Sequence, residues 1–310
     1  MPLRARGAYP TLALLAAAAA YVLIVVGGLV RASGSGLGCP DWPLCHGQPI
    51  PPAQTAATIE YSHRLVASIT TVLAVGASIA ALRLRDGSAA RAVAIAVPIV
   101  LAGQIALGAV TVLMELPPAV VAAHLGLAFL LFGLLIVQAV VSVRDPQSRD
   151  SQSNQHQSFL RVARGAAASV YLLVIAGAVV RATGATYACT SFPLCGSNGF
   201  EGDMGGLVVI HLLHRLLALG VVVHLATVFL RARRVERDMG PLTCWSGASL
   251  GFAFAQSAIG AMGVTTGFAP AWQVLHVAGA AATWAAAMGL VATCIPSSAH
   301  QPALQLGLAR

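Results

Sequence analysis

The chain has 310 residues, of which 57% are hydrophobic and 9% charged. A soluble domain carries about 25% charged residues, so a water-soluble globule is excluded and a polytopic membrane protein is indicated. The net charge of +8 comes from arginine alone; these arginines lie between apolar runs, which argues for topology control and against nucleic-acid binding.

Eight apolar runs approach the roughly 20 residues a membrane helix needs. They fall near residues 11–31, 59–82, 92–114, 119–143, 163–181, 206–230, 242–264 and 271–294. The first leads into a motif that recurs later, so it reads as a retained helix and not as a cleaved signal peptide. Arg4 and Arg6 precede the first run. Arg83, Arg85 and Arg91 lie between the second and third, and Arg144, Arg149, Arg161 and Arg164 between the fourth and fifth. Arg231, Arg233, Arg234 and Arg237 lie between the sixth and seventh, and Arg310 ends the chain. Every second connection is basic, which predicts that both termini are cytoplasmic.

The polar stretch 146–161 divides the chain into residues 1–145 and 162–310 and reads as a cytoplasmic linker. The two parts repeat. Gly27-Gly28-Leu29-Val30-Arg31 matches Gly177-Ala178-Val179-Val180-Arg181 at an offset of 150, and Pro43-Leu44-Cys45 matches Pro193-Leu194-Cys195. His63-Arg64 matches His214-Arg215 at 151. Gln104 and His124 match Gln256 and His276 at 152. An offset that drifts by two residues over four helices predicts a duplication. The expected fold is all-α, with eight transmembrane helices as two pseudo-symmetric four-helix bundles in parallel repeat.

Four features carry chemistry. His63 and His124 lie at the outer ends of the second and fourth helices, as His214 and His276 do in the second half. A lone membrane histidine is commonly a helix–helix hydrogen-bond partner. Two at matched depth can instead clamp one metal or haem iron, and obedience to the repeat favours ligation. His224 and His156 break the repeat; the first reads as packed or lumen-facing, the second as a solvated loop residue. His46 reads as a surface residue. Cys39 and Cys45, like Cys189 and Cys195, sit in outer loops, where a disulfide is favoured over a metal site; the first pair is alternatively a working redox pair. Cys244 and Cys294 read as buried thiols. Arg31, Arg64, Arg181 and Arg215 lie on the outer side against the positive-inside trend. Haem propionates would suit them, and so would snorkelling to headgroups. Finally, Glu60 sits one turn before His63, but its counterpart is His211. An acid there can move protons or stabilise a cationic intermediate, or can be helix-start chemistry after Thr58. Its absence from the second half favours function and makes the first half the candidate active site.

The stretches Gly34–Gly47 and Glu60-Tyr61-Ser62-His63-Arg64, with His124, His214 and His276, resemble the haem A synthase family over nearly the whole chain. That resemblance implies oxidation of the C8 methyl of haem O to a formyl group, in two successive two-electron steps through an alcohol and a hydrated aldehyde. It implies that His214 and His276 hold a haem b cofactor. It implies that His63 and His124 handle haem O, that Glu60 is essential to the chemistry, and that Cys39 and Cys45 are bonded. Expected partners are haem O, an electron donor or acceptor and the lipid bilayer of a bacterial cell membrane; haem O synthase and a second copy of the chain are further candidates that the sequence does not decide. Two other functions fit less of the pattern. A di-haem b electron-transfer cytochrome gives Glu60 no task, and a parallel-repeat transporter would interrupt its helices at mid-membrane.

Overall fold

A computed structural model describes residues 3–84, 88–144, 152–195, 204–236 and 238–295. Its regular elements are eight long α-helices and one short 3-10 turn, Ala185–Tyr187. The helices are α1 (Leu3–Ala32), α2 (Thr55–Leu84), α3 (Ser88–Leu113), α4 (Pro118–Val143), α5 (Gln152–Ala182), α6 (Met204–Val235), α7 (Pro241–Thr265) and α8 (Pro270–Cys294). Each contains a segment long and apolar enough to cross a membrane. Large apolar side chains such as Val72, Ile99, Leu216 and Leu219 face outward, as helices in hydrocarbon require: their backbone groups bond internally and their side chains meet lipid.

All eight expected spans are helical, and several helices outrun their apolar runs. α1 and α6 extend by several residues. α5 begins at Gln152, so residues 152–161 of the expected linker are helix, while 145–151 lie outside the described residues. A contact 80 residues away accounts for this: His156 is buried and its Nε2 lies 3.0 Å from Glu236 Oε1. The reading of His156 as a solvated loop residue is therefore wrong. Glu236 also accepts from the backbone N–H groups of Leu242 and Thr243, so it caps the start of α7. Of the arginines expected to mark one side, Arg85, Arg149, Arg237 and Arg310 lie outside the described residues.

Proline starts α4, α7 and α8, where its fixed φ suits the first turn and its missing N–H costs nothing. The α3–α4 and α7–α8 turns share one geometry. Glu115 and Leu116 have positive φ, as do Gly267 and Phe268 at the same offset of 152. Leu116 N–H bonds Thr111 O, and Phe268 N–H bonds Gly263 O. This turn brings consecutive helices back antiparallel.

α1 packs on α2 and α4, and α3 bridges α2 to α4. α5 packs on α6 and α8, and α7 bridges α6 to α8. In each half the second and fourth helices of the set are therefore diagonal. The halves meet along α1, α4, α5 and α8, where Phe129, Phe132, Leu135, Trp284 and Leu290 are buried. Hydrogen bonds cross this seam. Tyr21 Oη donates to Ala278 O, and its counterpart Tyr171 Oη donates to Gly126 O. Trp284 Nε1–H donates to Phe129 O at 2.7 Å, and Arg144 reaches Ala292 O and Ile295 O. With no water to compete, such bonds pin the helix rotations about their axes.

Candidate functional site

The four repeat-obeying histidines all lie in the first third of an even-numbered helix. His63 is eight residues past the start of α2 and His124 six past that of α4, roughly 12 and 9 Å in at 1.5 Å per residue. α2 starts four residues earlier than expected, so His63 is deeper than its apolar run implied. Each ring rests against a glycine of the preceding helix. A Cβ added at Gly27 would stand 3.1 Å from His63 Cε1, at Gly108 3.0 Å from His124 Cε1, at Gly177 3.3 Å from His214 Cε1, and at Gly260 3.1 Å from His276 Cε1. The glycines let the ring edge press against bare backbone, which fixes the ring plane. In all four rings Nδ1 is buried without a hydrogen-bond partner among the described residues, although each ring keeps some exposed surface. His63 and His124 lie within electrostatic reach of each other, as do His214 and His276. The two rings of each half stand on diagonal helices, α2 and α4 in the first and α6 and α8 in the second.

Gln104 meets the His124 ring, whereas its counterpart Gln256 holds the backbone at His276. Gln104 Nε2 lies 3.2 Å from His124 Nε2, and Gln256 Nε2 donates to His276 O at 2.7 Å. Glu60 is 3% exposed, and it is not paired with His63 as its spacing suggested. Its Oε1 accepts from Arg64 Nη2 at 2.6 Å and its Oε2 from Cys39 N–H at 2.8 Å. Arg64 also donates to the carbonyls of Cys39, Asp41 and Leu44. The acid and the arginine together clamp the outer loop onto α2. Thr58 does not cap the helix: α2 starts at Thr55, and the Thr58 hydroxyl bonds back to Gln54 O. A Cβ on Gly38 would overlap the backbone of Ala56, so only glycine lets Cys39 N–H reach Glu60. The loop is closed by a Cys39–Cys45 disulfide, and its counterpart by Cys189–Cys195.

Residues 10–288 match the COX15-CtaA family of cytochrome oxidase assembly proteins. The chain belongs to the COX15-CtaA family. Among similar proteins, a heme A synthase of Exiguobacterium sp. is 30% identical over 263 residues, covering 82% of this chain and 83% of that protein. One of Symbiobacterium thermophilum is 34% identical over 233 residues, with 72% and 76% covered. One of Shouchella clausii is 30% identical over 254 residues, with 79% and 83% covered. The COX15-CtaA match takes in all four histidines, all four glycines and both disulfide loops.

Within this COX15-CtaA chain the outer arginines fall into two sorts. Arg64 and Arg215 reach loop carbonyls; for Arg215 these belong to Ser191 and Pro193. His211, standing where Glu60 stands in the first half, faces Ala185 O through Nδ1 at 2.9 Å. No carboxylate meets Arg215 there, and its Nη2 is buried without a partner among the described residues. Arg31 is exposed, and Arg181 stacks 6.0 Å from the Tyr187 ring centre. In the first loop Asp41 accepts from the N–H groups of His46 and Gly47. Those bonds, Gly47's foremost, hold its carboxyl below the usual carboxylate range. His46 is exposed, and its Nε2 lies 2.9 Å from Gly38 O. Cys294 is buried as expected, but Cys244 is exposed, although its neighbours Leu242 and Thr243 in the first turn of α7 are buried. The glycine notches and Asp41 escaped sequence reasoning. The notches had a signal, since Gly27 and Gly177, like Gly108 and Gly260, recur at the repeat offsets.

Proposed function

We propose that this chain is a haem A synthase, oxidising the C8 methyl of haem O to a formyl group through an alcohol and a hydrated aldehyde. Two duplicated four-helix bundles each hold one porphyrin, with residues 1–145 taking haem O as substrate and residues 162–310 a haem b. The observation that carries this reading is the set of four glycine-pinned histidines, one pair to each half on diagonal helices, in a chain related to heme A synthases over most of its length. The chemistry of the donor set agrees. Among the described residues no group of three or more His, Cys, Asp or Glu side chains could hold a bare metal ion. A haem iron asks the protein only for axial ligands, and each bundle offers two imidazoles with Nδ1 unpaired.

In the second half His214 and His276 would hold the haem b, and Arg215 Nη2 would meet a propionate by a charge-assisted bond; Arg31 and Arg181 are further propionate candidates. A bound haem b there supplies one-electron redox chemistry. In the first half His63 and His124 orient haem O. Glu60, one turn from His63, takes up or delivers the proton at Oε1 or stabilises positive charge on the reacting carbon. Protonating Glu60 weakens its pair with Arg64 and its bond from Cys39 N–H, so proton transfer loosens the clamp on the disulfide loop. The arginine pattern supports a topology with both termini in the cytoplasm of a bacterial cell and the histidines and disulfides on the outer side. Electrons pass to or from a redox partner, and haem O arrives from its synthase.

The test is extraction and mass analysis of the pigments of purified protein. Wild type should yield haem b with haem O or haem A, and Glu60→Ala should accumulate haem O. Normal haem A from that variant would remove Glu60 from the chemistry. Haem b alone from wild type would favour the di-haem cytochrome, in which Glu60 only clamps the loop.

A further inference from the structure

Ten or more residues along α6 from His214, between α5 and α6, lies a cleft of about 330 Å³ lined by Arg161, Val162, Gly165, His224, Thr227, Val228 and Arg231. Arg161 and Arg231 come from the end of the pair where Arg164, Arg233 and Arg234 also cluster. His224 lies two turns deeper on α6, about 10 Å below Arg231, with its Nδ1 fixed 3.1 Å from Ser169 Oγ. Two guanidiniums therefore share one mouth, no carboxylate is among the lining residues, and below them Val162, Gly165 and Val228 line the cleft beside His224 and Thr227.

The repeat shows that this cleft is not part of the common framework. At its offsets the first half has Thr11 for Arg161, Leu15 for Gly165 and Ala19 for Ser169. It has Leu73 for His224, Gly76 for Thr227 and Ala80 for Arg231. A shared scaffold needs none of the polar set, and Leu15 stands where Gly165 leaves space. Paired like charges at the lip of a membrane cleft repel each other until an anion lies between them.

We infer that this cleft is a phosphate-binding site, occupied by the headgroup of an anionic phospholipid from the leaflet at the basic end of the helices. Arg161 and Arg231 grip the phosphodiester as bidentate donors. Val162, Gly165 and Val228 receive the glycerol and the first acyl carbons. A basic pocket between membrane helices at the headgroup level suits such a lipid, and a free phosphate offers the same oxyanion without the apolar remainder.

The test uses delipidated full-length protein in detergent. Binding is read by native mass spectrometry and by the rise in melting temperature on adding phosphatidylglycerol, phosphatidylcholine or inorganic phosphate. Phosphatidylglycerol should bind and stabilise, and phosphatidylcholine should not. Arg161→Gln with Arg231→Gln should weaken the anionic lipid roughly 30-fold, and each single variant roughly fivefold. Arg233→Gln, outside the lining, should stay within about twofold by the same reasoning. Haem absorbance establishes that the variants fold, and the single variants carry the test if the double variant does not. Equal binding of the two lipids, or unchanged phosphatidylglycerol binding in the double and single variants, overturns the site. Protection by inorganic phosphate without phosphatidylglycerol overturns the lipid as its occupant.

Discussion

The glycine notches make the sharpest prediction about the histidine rings. Carbon atoms in ordinary contact stand about 3.5–4.0 Å apart. A Cβ at position 260 would be 3.1 Å from His276 Cε1, and one at 177 would be 3.3 Å from His214 Cε1. Alanine at either position must therefore push its ring by about 0.2–0.9 Å, a displacement worth about 1–3 kcal/mol in a packed interior. Alanine is also the better helix former, by about 0.5–1 kcal/mol, so overall stability should change little. The loss should instead appear where ring position matters. Gly260→Ala should lower the haem retained per chain and shift its spectrum and midpoint potential, with Gly177→Ala milder. Gly27→Ala and Gly108→Ala should leave that haem alone and slow conversion of haem O. Gly76 and Gly220, where a Cβ meets nothing within 4 Å, are the controls, and their alanine variants should match wild type in haem per chain and midpoint potential. The assays are haem per chain, a redox titration and the thermal midpoint. Spectra and potentials unchanged in both Gly260→Ala and Gly260→Val would refute the reasoning.

Arg64→Gln leaves Glu60 buried without its cation and should cost about 3–5 kcal/mol. Arg215→Gln, with no carboxylate partner among the described residues, should cost about 1 kcal/mol per lost bond; melting temperatures in detergent that rank the two the other way would oppose this. Asp41 has a folded pKa below its unfolded value of about 3.9, so its contribution is complete above that value and is lost as pH falls through the folded one. Asp41→Asn should therefore speed amide exchange at His46 and Gly47 at pH 7, and the gap from wild type should close only in strong acid. Equal exchange at pH 7 would count against it. Trp284→Phe removes the bond to Phe129 O across the seam and should cost about 0.6–1.7 kcal/mol, read as a lower melting temperature.

The eight helices were legible because a membrane leaves the chain little choice: a run of about 20 apolar residues must bond its own backbone. Helix ends were less legible, since the polar start of α5 is stabilised by His156 meeting Glu236, and a contact across 80 residues has no local signature. Glu60 shows the same limit. Its spacing allows contact with His63 or with Arg64, and the choice is made by Cys39 N–H, brought across from the loop 21 residues earlier. The histidines stood out because a polar side chain in hydrocarbon is costly. Their glycines did not, because glycine is common in membrane helices for many reasons.

The asymmetry between Glu60 and His211 bears on why the halves differ. In the first half Arg64 Nη2 is neutralised from within the fold, by Glu60 Oε1. In the second half His211 turns its Nδ1 to Ala185 O, and Arg215 Nη2 is buried without a partner among the described residues. A buried donor without an acceptor costs about 1–3 kcal/mol, a cost that falls away if an anion arrives with the ligand. His211→Glu restores the acid four residues before Arg215. It should tighten the second disulfide loop through a charge-assisted bond worth about 1.5–3 kcal/mol, and raise the melting temperature of haem-free protein. The same bond takes the donor proposed for the propionate, so haem retention should fall while apo stability rises. If both rise together, Arg215 does not serve the porphyrin, and the first half's acid is then a loop clamp whose loss the second half simply tolerates.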